Sequence, residues 1–274
     1  MSAASALIEG HLNGALDRAS APDEAHWHAF WHAQGFGSLS PVAMAIRGGL
    51  AARSLSQVFV AGYQGALHTV FRHLPADGWA AYAAAEDRSD PQNHPGTVLT
   101  PDGTGYRLDG FKSWVGQSRH VRHLLVTAKL DGADRIARLD ASAAGISLSH
   151  RDAPAFLKEL SQGFAAFDGA RPDGLVDGVD MRAFGRTEPP FVMLACAAFL
   201  LAEAPDGAVR DRLIALVAAL ADYIGDLAYA PRTLAALDRA LQALAADLDG
   251  ADIPDWPADR RLIGMYSPRI QKRA

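Results

Sequence analysis

The feature that most restricts this chain is a change of texture at Trp79. From there to Pro172 the sequence breaks into short stretches, many alternating in polarity, at 80–86, 97–100, 106–115, 124–129, 135–139, 146–149 and 163–167. Turn signals such as Pro101-Asp102-Gly103 and Asp131-Gly132 separate them, and alternation with a period of two is the mark of a half-buried strand. Roughly six or seven strands at this spacing predict a small antiparallel β-barrel or sandwich.

The flanks read as helices. Apolar residues recur at helical spacing through Ala3, Leu7, Leu12 and Leu16, and a second stretch follows Pro22-Asp23. A longer pattern over 40–74 opens on Ser40-Pro41, a capping serine before a first-turn proline, with expected interruptions at Gly48-Gly49 and Gly62. After Pro172 helical periodicity returns over 187–204, 207–228, 231–248 and 258–265. The expected fold is therefore α+β and multidomain: N-terminal helices at 1–78, a central antiparallel β-barrel at 79–175, and a C-terminal helical bundle at 176–274.

Charge and composition exclude some functions. The formal net charge is −5, and the scattered Lys and Arg form no basic stripe, which argues against nucleic acid as a partner. The one cysteine, Cys196, rules out a disulfide framework and a Cys-based metal set, and a cytoplasmic location is the expectation. The N-terminal residues lack the pattern of a secretory signal. The most apolar run, 191–204, is shorter than the roughly 20 residues of a membrane span. His28 and His32 have the i, i+4 spacing of a metal pair, but with no third ligand beside them a packed aromatic helix is the simpler reading, and no metal is expected.

Three segments in the middle of the chain form a recognisable pattern: Ala85-Glu86-Asp87-Arg88-Ser89-Asp90, Gly105-Tyr106-Arg107-Leu108-Asp109-Gly110-Phe111-Lys112-Ser113-Trp114-Val115-Gly116 and Gly163-Phe164-Ala165-Ala166-Phe167-Asp168. With these segments the middle of the chain resembles the acyl-CoA dehydrogenase family. The family shows Thr-Glu-x-Gly-Ser-Asp and Gly-Tyr-x-Leu-Asn-Gly-x-Lys-x-Trp-Ile-Thr at the first two of these places. The resemblance implies a flavoprotein oxidoreductase with FAD as hydride acceptor, an acyl-CoA or related thioester as substrate, and a homo-oligomer or pairing with a related subunit. It places Glu86, Ser89, Ser113, Trp114 and Gly116 at the cofactor. An isoalloxazine needs an apolar wall and polar groups at its edge, and Trp114 suits the wall.

Several positions depart from the pattern. Ala85 and Gly116 stand where the family has threonines, the flanking helical regions are short, and Tyr229-Ala230-Pro231-Arg232 is the only trace of the family's Arg-x-x-Phe-Gly stretch. Ser267 stands where most members carry the catalytic glutamate. Some members place that glutamate at the start of the first bundle helix, and Glu188 holds a similar place, which makes it the candidate base. Its plainer role is to stabilise a helix start capped by Thr187. Trp114 equally reads as a core aromatic, Glu86 and Asp90 as turn carboxylates, and Lys112 with the basic residues 119–123 as a solvated surface. The alternative to an enzyme is a catalytically silent binding or partner subunit.

Overall fold

The computed structural model describes residues 3–152, 154–205, 207–226, 230–248 and 252–274. Tyr229 and the expected end of the 207–228 helix lie outside the described residues. The chain divides into two compact units, one formed by 1–69, 155–157 and 184–274 and the other by 70–154 and 158–183.

The first unit is helical. It contains α1 (Ala3–Leu12), α2 (Glu24–Ala33), α3 (Pro41–Ala51) and α4 (Leu55–Val70), whose last residue falls in the other unit. It continues with α5 (Ala183–Glu203), whose first residue falls in the other unit, α6 (Ala208–Gly225), α7 (Pro231–Ala246) and the short α8 (Trp256–Asp259), α9 (Arg261–Gly264) and α10 (Ser267–Gln271). Capping follows the sequence. Asp23 accepts the His26 amide at 2.9 Å, and Ser40 accepts that of Ala43 at 3.4 Å, which satisfies donors that an uncapped first turn leaves unpaired. Trp27, Trp31 and Phe36 pack edge-on in the core. On α2 the Nε2 atoms of His28 and His32 lie 3.0 Å apart at the surface.

The expected interruptions at Gly48-Gly49 and Gly62 do not occur; α3 and α4 break instead at Ala52–Ser54. The glycines serve helix packing. A Cβ at Gly49 would lie 2.4 Å from the Ala195 carbonyl oxygen, and one at Gly62 would lie 2.6 Å from the Val192 Cα. Only the absence of a side chain lets α3 and α4 rest on the backbone of α5. Helix α5 itself runs through Pro189 and Pro190. Neither proline can donate to the carbonyl four residues back, so those of Gly185 and Arg186 lose their helical partners. The helix also begins earlier than expected, which puts Glu188 in its second turn and not beside a Thr187 cap.

The second unit is a curved sheet of β1 (Trp79–Ala83), β2 (Val98–Asp102), β3 (Gly105–Gly116), β4 (Val121–Leu130), β5 (Ala133–Asp140), β6 (Ile146–His150), β7 (Gln162–Ala170) and β8 (Gly174–Leu175). Its order is β6-β7-β3-β2-β4-β5-β8, with β1 beside β4. Leu108, Val115, Leu124, Val126, Leu139 and Phe167 form its core. The expected closed antiparallel barrel is not what forms. β1 and β2 run parallel to β4, and the terminal strands β6 and β8 do not pair with each other. Closure requires a continuous ladder around the shell, and β8 offers only two residues to build one.

Candidate active site

In the β unit the segment after β1 is tied to the end of β3. The Ser113 amide donates to the Ala85 carbonyl at 2.9 Å, which holds the loop 86–90 beside Ser113, Trp114 and Gly116. Four of the five cofactor positions expected from sequence are thus brought to one end of the sheet, and Ser89 follows on the same loop. Trp114 is half-buried, and its Nε1 donates to Gln162 Oε1 at 3.4 Å. Its ring lies over Gly116, where a Cβ would sit 2.9 Å from the far edge of the indole. Gly116 pairs with Gln162 across the β3–β7 ladder.

The charged groups of this region are engaged with one another. Lys112 is fully buried and donates to Glu86 Oε1 at 2.8 Å and to Thr127 Oγ1 at 3.0 Å. The solvated role expected for Lys112 is therefore corrected: its side chain points into the shell. Glu86 also accepts from the Thr97 amide and hydroxyl. Burial pushes the Glu86 carboxyl up, but Lys112 and Thr97 together hold it below its ordinary range. Burial draws the Lys112 ammonium down against the support of Glu86. Ser89 donates to Asp87, which also meets His94 Nδ1 at 2.9 Å. Those bonds, the Ser89 hydroxyl first, bring the Asp87 carboxyl down to about 2.

Glu188 lies in the helical unit. Part of its surface reaches solvent, yet protein atoms crowd the carboxyl closely, and that crowding sets its desolvation. Burial raises the carboxyl to about 7, against the opposing pull of a hydrogen bond from Tyr266 and the charge of Arg269. Burial and the nearby Glu188 in turn push the Tyr266 hydroxyl upward, and Tyr63 and Cys196 lie within electrostatic reach of it. The Cys196 thiol is raised by burial alone. Tyr63 stacks on Phe59 and meets Phe184 edge-on, an aromatic cluster of the same unit.

A carboxyl poised near neutrality can hold or take a proton at ordinary pH, the property required of a general base. Sequence reasoning named Glu188 as the candidate base and gave no role to Tyr266, which precedes the Ser267 that it singled out and whose hydroxyl bonds to the Glu188 carboxyl. Ser267 is occupied elsewhere: its hydroxyl donates to the buried Asp238 at 2.6 Å, and Gln271 donates to the other oxygen of that carboxylate, also at 2.6 Å. This network pins α10 to α7. Among the described residues no three metal-ligating side chains cluster, and no helix is long and apolar enough to cross a membrane.

No protein-family model matches the sequence, and no curated protein does. Solved structures do match in fold. A structure described as an FAD-dependent dehydrogenase aligns over 100% of this chain and 96% of its own, with a TM-score of 0.70 and 14% identity. PigA with FAD and proline aligns over 100% and 96%, with a TM-score of 0.64 and 16% identity. A glutaryl-CoA dehydrogenase from Mycobacterium smegmatis in complex with FADH2 aligns over 98% and 88%, with a TM-score of 0.54 and 12% identity. The fold is thus that of FAD-dependent and acyl-CoA dehydrogenases.

Proposed function

We propose that this chain is an acyl-CoA dehydrogenase-like flavoprotein that binds FAD and oxidises an acyl thioester at its α–β bond. The observation that carries the reading is Glu188, a carboxyl raised to about 7 by burial and hydrogen-bonded by Tyr266, within a fold shared along its whole length with FAD-dependent dehydrogenases. The residues present fit the cofactor. Trp114 offers a half-buried aromatic face at the end of β3, and the anchored 86–90 loop sets polar groups beside it. Ser113 and the backbone at Gly116 would meet the polar edge of the ring, while Lys112 keeps Glu86 in place.

When bound, the flavin supplies the acceptor for the hydride that leaves the β carbon. Glu188 takes the proton from the α carbon as the new double bond forms, and its burial gives a basicity matched to that task. Tyr266 donates to the carboxylate and so stabilises the charged form. Neighbours of this fold include enzymes described as acting on a CoA thioester and on a prolyl acyl carrier protein, and a thioester of either kind is the substrate class.

The test is spectroscopic. Protein incubated with FAD and desalted is expected to keep flavin absorbance near 450 nm, and an acyl thioester added without oxygen is expected to bleach it. Glu188→Gln should retain the colour and lose the bleaching. A colourless protein whose melting temperature does not rise with FAD refutes the reading.

A further inference from the structure

Helix α2 is fixed by its aromatic side. Trp27 and Trp31, one turn apart, are buried, and the Asp23 cap holds the first turn. With that face set, the residue after each tryptophan stands at the rim: His28 is half-buried and His32 exposed. The two histidines are four residues apart on the helix, so their side chains rise from one face, and their Nε2 atoms lie 3.0 Å apart.

That distance has two physical readings, and the ring geometry separates them. In a good hydrogen bond one Nε2–H points end-on at the lone pair of the other ring, which sets the ring centroids about 5 Å or more apart. Here the centroids are 4.4 Å apart, with the ring planes at 72°. They are closer than an end-on bond sets them yet further apart than the nitrogens, so the two ring axes converge at an angle on a common point. Two imidazoles that share one metal ion do the same. With metal–nitrogen bonds of about 2.0–2.1 Å, a right-angle bite separates the nitrogens by about 2.9 Å and a tetrahedral bite by about 3.3 Å. The observed 3.0 Å falls at the right-angle end, the angle of square-planar and octahedral ions.

Among the described residues no third His, Cys, Asp or Glu joins the pair. That excludes a closed four-ligand site of the structural zinc kind and leaves an open one. Imidazole nitrogen suits late first-row ions, and affinity among them peaks at Cu2+. His28 makes a further interaction besides its contact with His32, and chelation calls only on its Nε2.

We infer that His28 and His32 form a two-nitrogen chelate for a divalent late transition-metal ion, Cu2+ or Ni2+ in preference to Zn2+, with water in the remaining positions. Each ring binds as the neutral tautomer with its proton on Nδ1 and its lone pair on Nε2. The site shares no residue with those assigned to the cofactor or to proton abstraction, so it stands without the flavin reading.

The test uses the whole chain and the chloride of each metal alone. Calorimetric titration near neutral pH is expected to show one saturable site for Cu2+ and for Ni2+ and a weaker one for Zn2+. Affinity should fall as the pH is lowered, because protons compete for both nitrogens. His28→Ala and His32→Ala each break the chelate and should weaken binding about a hundredfold, since the second nitrogen binds intramolecularly, while His73→Ala, at another exposed histidine, should change nothing. His32→Ala combined with Ala33→His restores the number of histidines but not their spacing, and should stay weak. Far-ultraviolet circular dichroism checks that each variant is folded. The absence of saturable binding, parental affinity in folded His28→Ala or His32→Ala or in the respaced variant, or tighter binding of Zn2+ than of Ni2+ would overturn the inference.

Discussion

Replacing Glu188 by Gln preserves the shape of the side chain and its capacity to accept from Tyr266, and removes only the ionisable group. In the folded chain the carboxyl titrates at about 7, against an ordinary 4.5. Between those values the folded state holds a proton that the unfolded state has released, so stability falls as pH rises. The penalty starts near pH 4.5, grows to about pH 7 and then levels off. Its size is the shift, 7 minus 4.5, times about 1.4 kcal/mol per unit, or roughly 3.5 kcal/mol. The Gln variant lacks this penalty. Urea titrations of both proteins at pH 4.5, 6, 7 and 8, followed by far-ultraviolet circular dichroism, report on the helices and hence on the unit that contains Glu188. The variant should nearly match the parent at pH 4.5 and exceed it by about 3.5 kcal/mol at pH 8. Stability curves that stay parallel across the range would show that the carboxyl is not desolvated, and would remove the basis for treating it as a poised base.

Tyr266→Phe deletes a hydrogen bond that lowers the Glu188 value, so the pH at which the penalty levels off should move upward, as read in the same titrations. Glu86→Gln leaves the fully buried Lys112 facing a neutral amide; a loss of about 2–3 kcal/mol in urea melts is expected, below the range for a fully buried pair because the Glu86 side chain is 34% exposed. Lys112→Met, which removes the buried charge itself, should cost less. Gly62→Ala drives a Cβ into the backbone of α5 and should destabilise by about 1–3 kcal/mol in thermal unfolding.

Local pattern carried most of the elements. Alternation between glycine-bearing turns placed the strands within a few residues, and Ser40-Pro41 fixed the start of α3. The failures share one cause, which is that partners distant in sequence decided the outcome. Gly49 and Gly62 resemble helix breakers until the backbone of α5, more than a hundred residues on, is set against them. Nothing near Lys112 announces that it will be buried, because Glu86 and Thr127 supply its partners from other segments. Barrel closure was misjudged because it depends on whether the first and last strands of the shell meet, and β8 is too short to announce itself in the sequence. Glu188 was legible as a candidate, but its crowding by Tyr266 and Arg269 required the end of the chain to fold back.

The indole of Trp114 reclines on a backbone that carries no side chain at 116. Reinstating a threonine there would not simply add a hydroxyl; it would have to lift the ring first, at the cost of its bond to Gln162. Positions 114 and 116 therefore form a single steric decision, and an engineer who wishes to alter one must redesign the other in the same step.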